Sequence, residues 1–171
     1  MKTLRNILFI AFALLMQSTL IGRIEIFGTR PDLALLVLIF IANQSNPVEC
    51  ILYGFFIGFL QDVYTPEYLG YNAFTMSLIA FLLGVLKESL TVENYSVRLF
   101  TTFIACIIHD IVYLIFYTQF DLSVIRQLLI WEYLTGAVYT SALAFVFIKT
   151  WEWVQNGGLF VVVRELLGDR R

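Results

Sequence analysis

Gly54-Phe55-Phe56-Ile57-Gly58-Phe59-Leu60-Gln61-Asp62 is the stretch on which the fold turns. Gly54, Gly58 and Asp62 recur every four residues, so on a helix they stack on one face. Phe55, Phe56, Ile57, Phe59 and Leu60 make the rest of the run apolar up to Gln61. In lipid, glycines at this spacing let a second backbone approach closely. The approaching helix belongs either to the same bundle or to another protein. Thr65-Pro66 ends this helix, and Leu69-Gly70-Tyr71-Asn72-Ala73 opens the next apolar run.

The chain on either side has the same character. Of 171 residues, 60% are apolar and only 14% are charged, and the mean hydropathy is +0.82. Soluble domains average about 45–50% apolar and about 25% charged residues, so this chain cannot cover a water-facing surface. Sixteen Phe, nine Tyr and three Trp exclude a disordered chain. The reading is an all-α, polytopic integral membrane helix bundle. Its apolar segments run over 6–22, 33–43, 48–60, 69–86, 99–117 and 128–148. Six spans of roughly 20 residues each occupy about 120 positions, which predicts one transmembrane domain over 1–150. Residues 151–171 are then a short cytoplasmic or interfacial tail. The second and third segments are short for spanning. They either span with the help of flanking polar residues or dip in and return as a re-entrant hairpin around Asn43-Gln44-Ser45-Asn46-Pro47.

The first segment has the basic start of a secretory signal, but Gln17-Ser18-Thr19-Leu20-Ile21-Gly22 is a poor cleavage site, so it is expected to be retained. Cys50 and Cys106 lie in apolar stretches and read as packing residues rather than a disulfide. Basic residues orient the chain. With the N-terminus inside, Lys2, Arg5, Lys87, Arg98, Lys149, Arg164, Arg170 and Arg171 are cytoplasmic, against Arg23, Arg30 and Arg126 outside. Both termini are therefore expected in the cytoplasm, with either treatment of the short segments. Trp151 and Trp153 follow the sixth segment, where an interfacial aromatic belt is expected, and Trp131 and Tyr133 sit near its other end.

On this topology the acids gather on the outer side. Asp32 opens the second segment, Asp62 closes the third, and His109 and Asp110 lie in the outer half of the fifth. Glu132 lies about one turn into the sixth, with Arg126 on the same side. Ionisable groups at bilayer depth are costly and face the bundle interior or water. Asp62, His109, Asp110, Arg126 and Glu132 thus form a candidate outer polar cluster, although Asp62 and Glu132 also suit helix ends at headgroup level. His109 and Asp110 are about 100° apart on a helix, which predicts that they do not point at one spot.

Enzyme chemistry finds little to use. A single histidine does not make a zinc site of the usual kind. There is no Gly-x-Ser-x-Gly elbow and no phosphate loop ending in Lys-Ser or Lys-Thr. Asp62 with Asp110 is the one candidate carboxylate pair for an intramembrane protease, and no motif supports it. No basic patch suggests nucleic acid. The expectation is a non-enzyme without cofactor, catalytic residue or metal.

Pro31-Asp32-Leu33 opening the second segment, the Gly54–Asp62 helix, and the Leu69-Gly70-Tyr71-Asn72-Ala73 turn after it together resemble the MreD family. These are rod-shape-determining membrane proteins of bacteria. The resemblance covers roughly residues 1–150. It implies an inner-membrane scaffold in the elongation machinery that builds lateral peptidoglycan. It also implies partners: the single-span protein MreC, the filament protein MreB, the glycan polymerase RodA and its transpeptidase. At fold level the family is similar to substrate-binding subunits of energy-coupling-factor transporters, an analogy that carries no substrate. On this reading Gly54, Gly58, Asp62, Gly70 and Asn72 are helix-packing or partner-interface positions, and Pro31 and Asp32 belong to the family-like motif. The competing reading is a transport component that binds a small solute or lipid headgroup in an outward-facing polar pocket.

Overall fold

A computed structural model describes residues 2–19, 29, 31–87 and 95–155. Its elements are α1 (Lys2–Thr19), α2 (Leu33–Ala42), α3 (Pro47–Val63), a 3-10 turn (Pro66–Tyr68), α4 (Tyr71–Leu86), α5 (Tyr95–Tyr117), α6 (Leu122–Leu128), a π-turn (Leu129–Tyr133) and α7 (Leu134–Gln155). The described residues form helices, turns and short connections, in keeping with the all-α expectation. The six expected segments fall on α1 to α5 and α7. Short α6 and the π-turn were not expected. Helix α7 runs past residue 150, and the expected tail beyond Gln155 lies outside the described residues, as do Arg23 and Arg30.

The middle of the bundle is α2. Its sequence, Leu-Ala-Leu-Leu-Val-Leu-Ile-Phe-Ile-Ala, has no polar face, and eight of its ten residues are buried. A helix that is apolar all round belongs inside, and α2 touches α1, α3, α4, α5 and α7. Ten residues rise only about 15 Å, half of a hydrocarbon layer about 30 Å thick. Irregular backbone at that depth is tolerated where protein, not lipid, covers it. The surrounding helices meet that condition, which explains how so short an element occupies the centre.

Both ends of α2 are specified locally. The Asp32 carboxylate accepts from the Leu35 N–H at 2.9 Å, and the Asp32 N–H donates to the Thr140 hydroxyl at 3.1 Å. After Asn43, a short turn leads to Asn46, whose side chain caps α3 through the Glu49 N–H, with Pro47 in the first turn. Cys50 and Cys106 are free and buried.

The outside of the molecule is apolar. Phe12, Phe56, Phe74, Phe100, Val138 and Val146 are among many large side chains that stand exposed. Such a surface suits lipid, not water. Among the described residues only α5, over Ser96–Tyr117, is long and apolar enough to cross a bilayer unaided, and α1, α2, α4 and α7 contain shorter apolar runs.

Candidate functional site

Two neighbouring regions at one end of the bundle hold the residues of interest. The first is the α3–α4 hairpin. A Cβ on Gly54 would lie 2.5 Å from the Met76 carbonyl oxygen and 2.8 Å from the Ala80 Cβ. One on Gly58 would strike the Asn72 carbonyl and come within 2.6 Å of the Ala73 Cα. Further along, one on Gly84 would lie 2.9 Å from the Pro47 Cα. The two backbones are thus in contact along most of the hairpin. The glycine face of α3 is filled by α4 of the same chain, and it is not a surface left open for another protein.

Asp62 closes the hairpin. It is fully buried, and its carboxylate accepts from three backbone N–H groups: Gly70 at 2.9 Å, Asn72 at 3.0 Å and Ala73 at 2.9 Å. These are the orphan donors at the start of α4, where a negative charge is also favoured by the helix dipole. Gly70 has φ +99°, a left-handed conformation that a side chain would strain. Gly54, Gly58, Asp62, Gly70 and Asn72 therefore act together in one intramolecular joint.

The second region is a cavity of about 700 Å³ beside that joint. Cys106, His109, Asp110 and Tyr113 of α5 line it, as do Tyr133 at the end of the π-turn and Gly136, Ala137 and Thr140 near the start of α7. Both sets follow the i, i+3, i+4, i+7 spacing of a single helix face. Gln17, Pro31, Asp32, Gln61, Tyr64 and Asn72 are among the other lining residues. Inside it, His109 Nδ1 lies 3.1 Å from Asp110 Oδ1. A carboxylate only accepts, so Nδ1 carries the hydrogen. The His109 ring stacks on Tyr113, with centroids 6.4 Å apart.

This geometry corrects the expected cluster in three ways. His109 and Asp110 do reach one cavity, and their side chains meet at 3.1 Å. Asp62 is absent from the lining, because its carboxylate is turned to the α4 N-terminus. Arg126 is also absent from the lining, and it stands exposed on α6. The backbone of Glu132 lies in the π-turn, but its side chain lies outside the described residues. Asp32, read only as a segment opener and motif residue, joins the His109–Asp110 pair in the lining. Gln17, Gln61 and Thr140 were missed. Their signal was a polar residue one or two turns inside an apolar helix end, in register with the α5 face.

The opposite end of the bundle is basic. Arg5 donates to the Gln44 side chain at 2.5 Å, Lys87 donates to the Ser45 carbonyl, and Arg98 pairs with Glu152 at 3.4 Å.

A family model described as rod shape-determining protein MreD matches residues 1–163. The chain belongs to the MreD family. The match continues past residue 150 into the stretch expected to be an unmatched tail. An MreD protein is a rod-shape-determining protein of the bacterial inner membrane, and the apolar outer surface described above fits that setting. No curated protein and no solved structure is significantly similar to the chain, so the likeness to energy-coupling-factor subunits has no solved structure behind it.

Proposed function

We propose that this chain is a scaffold of the cell-elongation complex that binds MreC and helps organise lateral peptidoglycan synthesis. MreB, RodA and its transpeptidase are the other members of the assembly, as the family resemblance implies. The chain acts through contact and not through catalysis. The observation that carries this reading is the family match over residues 1–163.

Placement in the membrane follows the same reading. The chain crosses six times and keeps both termini in the cytoplasm. Two features support this. The C-terminal ends of α1 and α3 and the N-terminal ends of α2, α4 and α7 all line the cavity, an alternation that up-and-down crossing requires. Arg5, Lys87 and Arg98 sit at the other end, which suits the cytoplasmic side. MreC's membrane anchor has the outward apolar faces to dock on, because the glycine face is already used.

The test is a deletion strain scored for cell shape. Loss of the protein should turn rods round and disperse lateral wall synthesis without removing a precursor-making step. Unchanged shape on deletion overturns the role. A periplasm-dependent reporter should be active in the 66–68 turn and silent after Arg171, and a bright C-terminal fusion overturns the topology.

A further inference from the structure

The cavity between α5 and α7 has a hydrogen-bonding character that the scaffold role does not use. Three observations point the same way. First, His109 lines the cavity and is 94% buried, at 6% relative exposure, and its Nε2 has no hydrogen-bond partner. With the hydrogen on Nδ1, the Nε2 of a neutral ring is an acceptor. Second, Gln61 also lines the cavity, and its Oε1 is buried without a donor. Third, Asp32 and Asp110 both line the space, and the described lining contains no Lys or Arg. Two carboxylates thus share the space, at a depth where negative charge is costly. Tyr64, Tyr113 and Tyr133 add aromatic rings, which attract cations. A volume of about 700 Å³ falls within the roughly 300–1,000 Å³ of ligand sites.

We infer that this cavity is a binding site for an organic ammonium group, held between Asp32 and Asp110, with His109 and Gln61 as neighbouring acceptors. A primary ammonium supplies three donors and one positive charge, which complement the two carboxylates and the two unpartnered acceptors. The group comes either from a phospholipid headgroup or from a free amine. This inference does not depend on the scaffold reading.

The test uses the full chain in detergent. Native mass spectrometry with equal phosphatidylethanolamine and phosphatidylglycerol reads the lipid source, and thermal unfolding with ethanolamine hydrochloride reads the free-amine source. Asp110→Asn and Asp32→Asn remove charge from each side. Asparagine still caps α2, so Asp32→Asn carries the test if Asp110→Asn fails to fold. A wild-type phosphatidylethanolamine adduct at least tenfold over phosphatidylglycerol, reduced at least tenfold in a folded variant, assigns the lipid head. An ethanolamine-dependent rise in melting temperature, lost in a folded variant, assigns the free amine. Absence of both responses overturns the site, as does phosphatidylglycerol preference, or responses equal in wild type and folded variants.

Discussion

The α3–α4 hairpin and the α5–α7 cavity lie side by side and are built on opposite rules. In the hairpin, backbones touch, Asp62 takes three N–H donors at the start of α4, and Gly54, Gly58 and Gly84 have no space for a methyl group. In the cavity, side chains carry polar atoms without partners around a space large enough for a small molecule. The contrast teaches where substitution is costly. Volume decides the first region, and hydrogen bonding and charge decide the second.

Gly58 gives the largest expected effect. Gly58→Leu should abolish recovery of folded protein, because its side chain must displace the α4 backbone at Asn72 and Ala73. Even Gly58→Ala should destabilise by about 1–3 kcal/mol, the usual range for overpacking, read as thermal unfolding in detergent. Normal yield of the leucine variant would break the comparison at its strongest point.

Asp62 comes next. Asp62→Asn keeps the size but sets an amide NH₂ against backbone N–H groups that now point at a carboxylate. Bonds to a charged group contribute about 1.5–3 kcal/mol each, so losing at least one should cost about 2–4 kcal/mol. Asp62→Ala should cost more. Equal stability of wild type and Asp62→Asn would mean that shape alone holds the joint.

The cavity should respond less. In Asp110→Asn the new amide oxygen still accepts from His109 Nδ1, and one charge leaves a poorly solvated space. With that hydrogen bond kept, the stability change should stay within the net worth of one such bond, about 0.5–1.5 kcal/mol. In the deletion strain, His109→Ala and Asp110→Asn should restore rod shape better than leucine at Gly54 or Gly58. Failure of both polar variants at normal protein level, with success of the glycine variants, would reverse the ranking and remove the scaffold mechanism.

The smallest effect lies outside both regions and calibrates them. Asp121 caps exposed α6. The Ser123 hydroxyl, then the Val124 and Ser123 N–H groups, hold its carboxyl below the usual carboxylate range. A lowered folded value means that its contribution is complete above the ordinary carboxylate value and is lost as pH falls through the folded one. Amide exchange at Ser123 and Val124 should therefore quicken only below the ordinary carboxylate range. Asp121→Asn, which still caps, should remove that pH step. The same step in Asp121→Asn would assign it to another group.

Much of the fold was legible, because apolar length and Gly-x-x-x-Gly-x-x-x-Asp spacing act locally. The periodicity of 54, 58 and 62 defines a helix face, and close approach follows from the absence of side chains there. What spacing could not decide was the identity of the neighbour, since a helix from the same chain and one from a partner impose the same demand. The Asp62 role was ambiguous for a related reason. A carboxylate at a helix end reads as a surface cap until the next helix is seen to begin against it. The cavity was harder still, because it needs α5 and α7 in register, and the unexpected π-turn precedes the α7 face. Treating 109 and 110 as pointing apart ignored the width of a cavity that two adjacent positions can share.

The buried carboxylate of Asp62 also bears on how the protein is made. Emerging at the end of α3, it is a bare negative charge with its three donors still eight to eleven residues behind it in synthesis. A translocon that released α3 into lipid at that moment would expose the charge to hydrocarbon, at about 2.5–3.5 kcal/mol for an aspartate at mid-depth, less nearer the headgroups. Holding α3 until Gly70, Asn72 and Ala73 have emerged removes that barrier. The two helices then leave the insertion machinery as one helical hairpin, already locked at its tip.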